Sequence, residues 1–147
     1  MGLFIHPSKL AIDIAGLKIA TLKQVITHAD LTAAATTQTI AITFPAKSYP
    51  LLGRVVVQSD FSGGAVSALT VQLGDADTDG LMTALSVFTG VANDVVLGAD
   101  GVEAMWSSVE EASYSLGALF TATSDNLVNL TAGSLTAYVT YLTPQVR

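Results

Sequence analysis

The sequence predicts an all-β protein, an antiparallel β-sandwich whose expected arrangement is a jelly roll of about eight strands. Several short segments alternate apolar and polar residues with a period of two and are rich in threonine and β-branched residues, which is the pattern of half-buried strands. Glycine, proline, asparagine and aspartate separate these segments at short spacing, as in sandwiches and barrels. Of the 147 residues, 50% are hydrophobic and only 12% are charged, so the chain is predicted to bury a core and not to be disordered.

Residues 1–16 are predicted to form an N-terminal arm, followed by a single sandwich domain over residues 17–147. Pro7 and Gly16 interrupt the first stretch, which makes its pattern too irregular for a regular strand. The apolar side chains of the arm need a surface to cover them, and that surface belongs either to the same domain or to a neighbouring subunit. These apolar residues are Leu3, Phe4, Ile5, Leu10, Ile12 and Ile14.

The first strands of the domain are predicted from alternation. A β-like pattern runs from residue 17 to residue 26, and a clearer one occupies residues 37–44. In the second segment, Ile40, Ile42 and Phe44 share one face, while threonine and alanine occupy the other. This distribution is typical of a strand with one buried face.

A β-hairpin is predicted in the middle of the chain. Residues 51–59 contain three consecutive valines, which indicates a strand that is buried on both faces. Gly63 and Gly64 follow and permit the positive φ angles of a tight reversal. Residues 66–73 then resume the alternation, so the two strands are expected to pair with each other.

The second half of the chain is predicted to hold shorter strands and at most one short helix. Short strands are expected within residues 85–88 and 95–97, and clear alternation returns in residues 118–123 and 135–141. Between them, Val102, Met105, Trp106 and Val109 follow helical spacing. A short helix over residues 101–111 is one interpretation, and a loop that places Trp106 at the edge of the core is the other.

Charge is distributed unevenly along the chain, which has a net charge of −6. Residues 1–54 hold five cations and two acids, whereas residues 55–147 hold one cation and ten acids. Such asymmetry suits contacts between different surfaces of neighbouring subunits, although a surface that needs some charge for solubility explains it too.

No basic patch with interleaved aromatic residues is present, so nucleic-acid binding is not expected. Membrane insertion is not expected either, because no apolar run approaches about 18 residues.

One acidic segment resembles half of a calcium-binding loop. Asp75, Asp77, Asp79 and Gly80 match positions 1, 3, 5 and 6 of such a loop. Position 12 is Ser86, where a bidentate glutamate is expected. A solvated Asp/Gly turn is therefore the favoured interpretation, no cofactor is expected, and Ca²⁺ is the ion for which this loop is the candidate site.

No catalytic residues are predicted, and the chain is not expected to be an enzyme. The only histidines are His6 and His28, and no Gly-x-Ser-x-Gly segment presents a nucleophilic serine. The absence of cysteine removes thiolate nucleophiles and the common structural zinc sites. Carboxylate pairs such as Glu103 with Glu110 are expected to be solvated. Trp106, together with tyrosines, is a candidate sugar-binding surface, although core or interface positions are more usual for such residues.

The order of turns and strands resembles that of capsid cement, or decoration, proteins of tailed bacteriophages. The resemblance extends over about residues 31–142 and rests on turn-and-strand patterns. These patterns are Thr36-Thr37-Gln38-Thr39-Ile40, Phe61-Ser62-Gly63-Gly64, Leu119-Phe120-Thr121-Ala122-Thr123 and Leu130-Thr131-Ala132-Gly133-Ser134.

The resemblance implies a jelly-roll protein that binds an assembled lattice of the major capsid protein as a homodimer or homotrimer. It implies a location in the capsid shell of the virion, after assembly in the host cytoplasm. Leu3, Phe4 and Ile5 of the arm and Trp106 are the expected contact residues. The alternative is a β-sandwich module that binds carbohydrate or calcium, for instance as a component of a phage fibre or tail.

Overall fold

Eight strands account for most of the chain that the structure describes. The computed structural model describes residues 17–46, 48–74, 79–89, 95–97 and 114–144. Within these ranges the all-β prediction is confirmed, and the only helical turns are short 3-10 turns at His28–Asp30 and Leu127–Asn129. The predicted helix at 101–111 and the predicted arm at 1–16 lie outside the described residues. The strands are β1 (Leu17–Thr27), β2 (Thr37–Phe44), β3 (Tyr49–Ser62), β4 (Ala68–Gly74), β5 (Met82–Ser86), β6 (Val95–Leu97), β7 (Tyr114–Thr123) and β8 (Ala132–Pro144).

The strands form two four-stranded antiparallel sheets with the order β1-β8-β3-β6 in one and β2-β7-β4-β5 in the other. Successive strands mostly change sheet, and β4 and β5 are the only consecutive strands in the described chain that pair with each other. This is the strand order of a jelly roll, so the predicted arrangement is confirmed. The ladder between β1 and β8 is unbroken from Leu17 opposite Pro144 to Thr27 opposite Ser134.

The predicted hairpin around Gly63 and Gly64 is wrong. Both glycines do reverse the chain with positive φ angles of 134° and 59°. However, β3 pairs with β8 and β6, whereas β4 pairs with β7 and β5. The turn therefore carries the chain from one sheet to the other. Alternation identifies the side of a strand that faces the core, but both sheets face the same core, so it does not identify the neighbouring strand.

The core lies between the two inner faces, and aromatic contacts cross it. Phe44 on β2 meets Tyr141 on β8 edge to face, with ring centroids 5.3 Å apart. Phe61 on β3 and Phe120 on β7 are 6.1 Å apart and completely buried. The alternating residues that the sequence assigns to the inner faces of β2, β4, β7 and β8 are buried as predicted, except that Ile40 at the middle of β2 is only partly buried. Val56, predicted to be buried, is only half-buried because it points outward from β3.

Candidate interaction surfaces

The outer side of the sheet that contains β1, β8 and β3 presents a mixed apolar and basic surface. We call it the β1–β8–β3 face. The registers of the three strands align its side chains in four rows. The rows are Ile19, Leu142 and Tyr49; Thr21, Thr140 and Leu52; Lys23, Tyr138 and Arg54; and Val25, Thr136 and Val56. Thr136 in the last row is itself buried.

Large apolar side chains are concentrated on this face. Ile19 is 51% exposed, Val25 52% and Leu52 38%, and the one other large hydrophobic residue with comparable exposure in the described chain is Val128 at 49%. Val128 belongs to the turn between β7 and β8 and lies away from these rows. Isolated exposed apolar residues are ordinary, but three of them on one sheet face indicate a contact surface.

Arg54 lies on β3, next to Tyr138 of the middle strand β8. Its guanidinium carbon lies 4.5 Å from the centre of the Tyr138 ring, so a cation–π contact holds the side chain in place. Asp60 is the single acid in the four strands of this sheet, and it follows Arg54 by six residues, which is roughly 20 Å along the strand. Arg54 is therefore positioned with donor groups available to an anion that the face itself does not supply.

A pocket of about 260 Å³ opens beside Arg54 and Tyr138. Leu52 lines one part of it, and the hydroxyls of Thr21 and Thr140, which are 3.4 Å apart, line another. An apolar wall, two hydroxyls and a guanidinium together suit a carboxylate carried on an apolar surface, since the guanidinium forms paired hydrogen bonds with carboxylates.

The outer side of the other sheet differs in that none of its four strands contains a charged residue. One row of side chains crosses all four strands and consists of Thr37, Thr121, Thr70 and Ser86. Another row consists of small residues, Ala41, Gly117 and Gly74. A flat, uncharged surface rich in hydroxyls has little charge to desolvate when another protein covers it.

Most of the site residues predicted from the sequence lie outside the described chain. These residues are Leu3, Phe4, Ile5, Asp75, Asp77 and Trp106. Asp79 is described and lies exposed in the turn before β5. Among the described residues, no group of three or more histidine, cysteine or acidic side chains is arranged to hold a metal ion. Calcium binding by the predicted loop therefore stays a prediction.

Asp125 accepts three hydrogen bonds at the turns on one end of the sandwich, and this role was not predicted from the sequence. The backbone N–H groups of Ala65 and Asn126 donate to it over 2.9 and 2.8 Å, and the Asn129 amide donates over 2.7 Å. These three donors, the Ala65 N–H first among them, lower the pKa of the Asp125 carboxyl below its ordinary value of 3.8. The carboxylate thus joins the turn after β3 to the β7–β8 connection, which is a structural role. The sequence feature that indicates this role is the turn-forming segment Ser124-Asp125-Asn126.

The β1–β8–β3 face was also not predicted from the sequence. Its signal lies in β1, where Leu22 and Ile26 point inward and Ile19 and Val25 point outward. A strand with apolar residues on both sides, at the edge of its sheet among the described strands, is unusual for a surface strand. It therefore indicates a second surface that becomes covered.

Two solved structures contain a chain that is similar to this one. No family model matches the chain, and no curated protein does. The chain is similar to one in the structure "Cyanophage Pam1 capsid asymmetric unit", with a TM-score of 0.59 and 17% identity over 88% of this chain and 87% of that one. It is also similar to one in "Capsid of Ralstonia phage GP4", with a TM-score of 0.54 and 18% identity over 91% and 89% of the two chains. At these identities the likeness establishes a shared fold.

Within the described residues, no helix is long and apolar enough to cross a membrane.

Proposed function

We propose that this protein is a non-enzymatic structural subunit of a bacteriophage virion, of the cement or decoration class, which binds the assembled lattice of a major capsid protein. The observation that carries the proposal is the likeness to chains of two phage capsids over nearly the whole length of both partners. Nearly equal coverage means that the matched chains have almost the same length as this one. The likeness therefore extends over most of each matched chain and is not confined to a fragment of it.

The physical properties of the sandwich suit this role. The uncharged outer side of the β2-β7-β4-β5 sheet and the exposed apolar rows of the β1–β8–β3 face offer surfaces that other proteins can cover at a small desolvation cost. A lattice presents the same contact many times, so each contact can be modest while an oligomeric subunit binds tightly through several of them.

The proposed partners are the capsid lattice and further copies of this chain, as a homodimer or homotrimer, with neither nucleic acid nor membrane involved. The proposed location is the capsid shell, reached by assembly in the host cytoplasm. Leu3, Phe4 and Ile5 of the arm and Trp106 are the proposed lattice contacts, in keeping with their apolar character.

Co-sedimentation with shells assembled from the cognate major capsid protein tests this function. The full chain is expected to pellet with the shells and to saturate at a fixed ratio of copies per lattice subunit. A chain that lacks residues 1–15 is expected to bind at least about tenfold more weakly if the arm is an anchor. A full chain that stays in the supernatant at saturating shell concentration contradicts the proposal, whereas unchanged binding of the shortened chain removes only the arm from it.

The calcium-binding module is the alternative function, and the Asp75–Asp79 loop decides it. We expect no binding of Ca²⁺ at micromolar concentration, because the loop has no glutamate at its twelfth position. Isothermal titration calorimetry of the full chain measures this directly, with Asp77→Ala as the matched variant. Heat of binding that is present in the original protein and absent from the variant would establish the alternative.

A further inference from the structure

We propose that the β1–β8–β3 face is the surface through which the protein binds a second copy of itself, with Arg54 receiving a carboxylate from that copy. The proposal rests on the function proposed above, because that function includes an oligomer of this chain. It adds the location of the contact and its type: the contact joins two different surfaces of the two copies, which excludes a twofold dimer through this face and gives a ring where the rotation between copies closes.

Ile19, Val25 and Leu52 lie on one sheet face and are all exposed in a single chain. Burying such side chains stabilises a complex by roughly 25 cal/mol for each Å² removed from water. The apolar area is spread over neighbouring strands, with Ile19 and Val25 on β1 and Leu52 on β3.

Arg54 and Tyr138 supply the polar part of the contact. Arginine and tyrosine are enriched among the side chains that contribute most to binding energy at protein interfaces. Their 4.5 Å stacking contact orders the guanidinium before any partner arrives, so less side-chain freedom is lost on binding. The adjoining pocket gives space for a carboxylate and for part of the side chain that carries it.

Charge complementarity identifies the partner. The face carries Lys23 and Arg54 in one row and no acid in any of its four rows. The chain itself has twelve acids and six cations, and Asp60 is the only acid that falls within a described strand. Among the other acids in the described chain, Asp30 and Asp79 are exposed and lie outside the four rows, so a second copy offers carboxylates that this face lacks.

The same charges argue against a twofold dimer through this face. An isologous contact places the same patch of both copies together, which brings two Lys23 and two Arg54 side chains into a region without acids. Like charges at a desolvated contact are strongly unfavourable. A heterologous contact avoids this repulsion, and it closes into a ring when the rotation between copies permits.

The dimensions of the face are adequate for a contact between subunits. β1 has 11 residues, which is roughly 36 Å of strand, and three strands cover about 14 Å across the sheet. The resulting area of roughly 500 Å² is more than half of the roughly 800 Å² that each partner contributes to a standard interface.

Sedimentation velocity on the purified full chain alone, over a wide range of concentrations, tests the proposal. The original protein is expected to form a ring of three or more copies that weakens in high salt. Arg54→Glu is expected to raise the dissociation constant about 30-fold or more, and Val25→Asp about tenfold or more.

Val128→Asp is the matched control, because Val128 has nearly the same exposure as Val25 but lies in the β7–β8 connection. It is expected to change the dissociation constant less than about twofold. Circular dichroism and thermal unfolding establish that each variant is folded. If Arg54→Glu fails to fold, the dissociation constants of Val25→Asp, on the edge strand, and Val128→Asp are compared instead.

A monomeric full chain, a twofold dimer, or a ring that persists in both face variants overturns the proposal. Because no capsid shell is present, these outcomes are separate from lattice binding. A ring that depends on the face supports the proposal even when shells fail to bind it, and that failure would contradict only the function proposed above.

Discussion

Gly133 is the glycine that the fold requires most strictly. It lies at the start of β8 with a φ of +124°, and a Cβ atom there would overlap both the backbone and the ring of the buried Phe61. A side chain at this position is thus strained by the backbone and blocked by the core. At the level of single residues, this close approach cannot be read from the sequence, in which Gly133 is one of 12 glycines.

We expect Gly133→Ala to lower the free energy of unfolding by about 2–4 kcal/mol, from backbone strain and overpacking together. Chemical denaturation measures the change. Ala132→Gly, at the neighbouring exposed position, is the control and should cost less than about 1 kcal/mol. Equal effects of the two substitutions would show that the Phe61 contact is unimportant.

Asp125 makes the stability of the turn region depend on pH. Its pKa is lowered in the folded protein by the N–H donors of Ala65 and Asn126 and by the Asn129 amide. A lowered pKa means that the carboxylate stabilises the fold above the unfolded value of 3.8, and that this contribution is lost as the pH falls through the lower folded value.

We expect Asp125→Asn to lower the melting temperature by a few degrees at neutral pH, and this difference from the original protein should shrink in strongly acidic solution. Thermal unfolding followed by circular dichroism at several pH values measures it. Asp79→Asn, at an exposed carboxylate, is the control and should behave like the original protein. A difference that is constant down to the most acidic pH would contradict the assigned role of the charge.

At the level of elements, the connection between β1 and β2 depends on one glutamine. The side-chain oxygen of Gln38 accepts a hydrogen bond from the Ala33 N–H at 2.9 Å, and its amide donates to the Asp30 carbonyl at 2.8 Å. Asp30 in turn accepts hydrogen bonds from the N–H and hydroxyl of Thr27. Gln38, the second residue of β2, thereby holds the segment that follows β1 in place.

We expect Gln38→Ala to cost about 1–2 kcal/mol, because two backbone groups lose their hydrogen-bond partner. The measurement is denaturant unfolding. Thr37→Ala, an adjacent exposed substitution on the outer face, is the control and should stay within about 0.5 kcal/mol. A Gln38→Ala protein as stable as the control variant would mean that water replaces both hydrogen bonds without loss.

The strands themselves were largely predictable, because alternation in a strand depends only on which side is buried. The predicted segments 37–44 and 95–97 match β2 and β6, β1, β3, β4, β7 and β8 differ from their predictions mainly at the ends, and β5 begins three residues before the strand predicted within residues 85–88. Strand pairing was not predictable. The two glycines after β3 have the positive φ of a hairpin, yet they join different sheets, since the partner of a strand depends on contacts far along the chain.

At the level of the whole molecule, the two sheets are held together by side chains that meet between them. Phe61 on β3 and Phe120 on β7 belong to opposite sheets and are completely buried. Neither sheet has another way to remove its inner face from water, so the sandwich should unfold as one cooperative unit.

We expect Phe120→Ala to lower the free energy of unfolding by about 3–5 kcal/mol, from lost burial and the cavity that remains. Unfolding should remain a single transition when it is followed both by far-ultraviolet circular dichroism, which reports the strands, and by near-ultraviolet circular dichroism, which reports aromatic packing such as the contact of Phe44 with Tyr141. Leu119→Ala, whose side chain is on the outer face of the same strand, is the control and should cost much less. Two separate transitions would contradict the view that the sheets depend on each other.

Some features of the candidate surfaces were evident in the sequence, and others only in the structure. The low charge content and the uneven placement of the cations were evident in the sequence, and so was the absence of a catalytic pattern. The sequence did not indicate that Lys23, Tyr138 and Arg54 form one row, because these residues come from three strands that are distant along the chain.

The sequence by itself determined the strands, the residues that face the core and the all-β class, because period-two alternation and turn-forming residues act over a few neighbouring positions. Only the tertiary structure decided the strand order β1-β8-β3-β6 and β2-β7-β4-β5, the close approach at Gly133 and the β1–β8–β3 face. The physical reason is that pairing and packing satisfy hydrogen-bonding groups and bury apolar surface between residues far apart in the chain, and many pairings are compatible with the same local pattern.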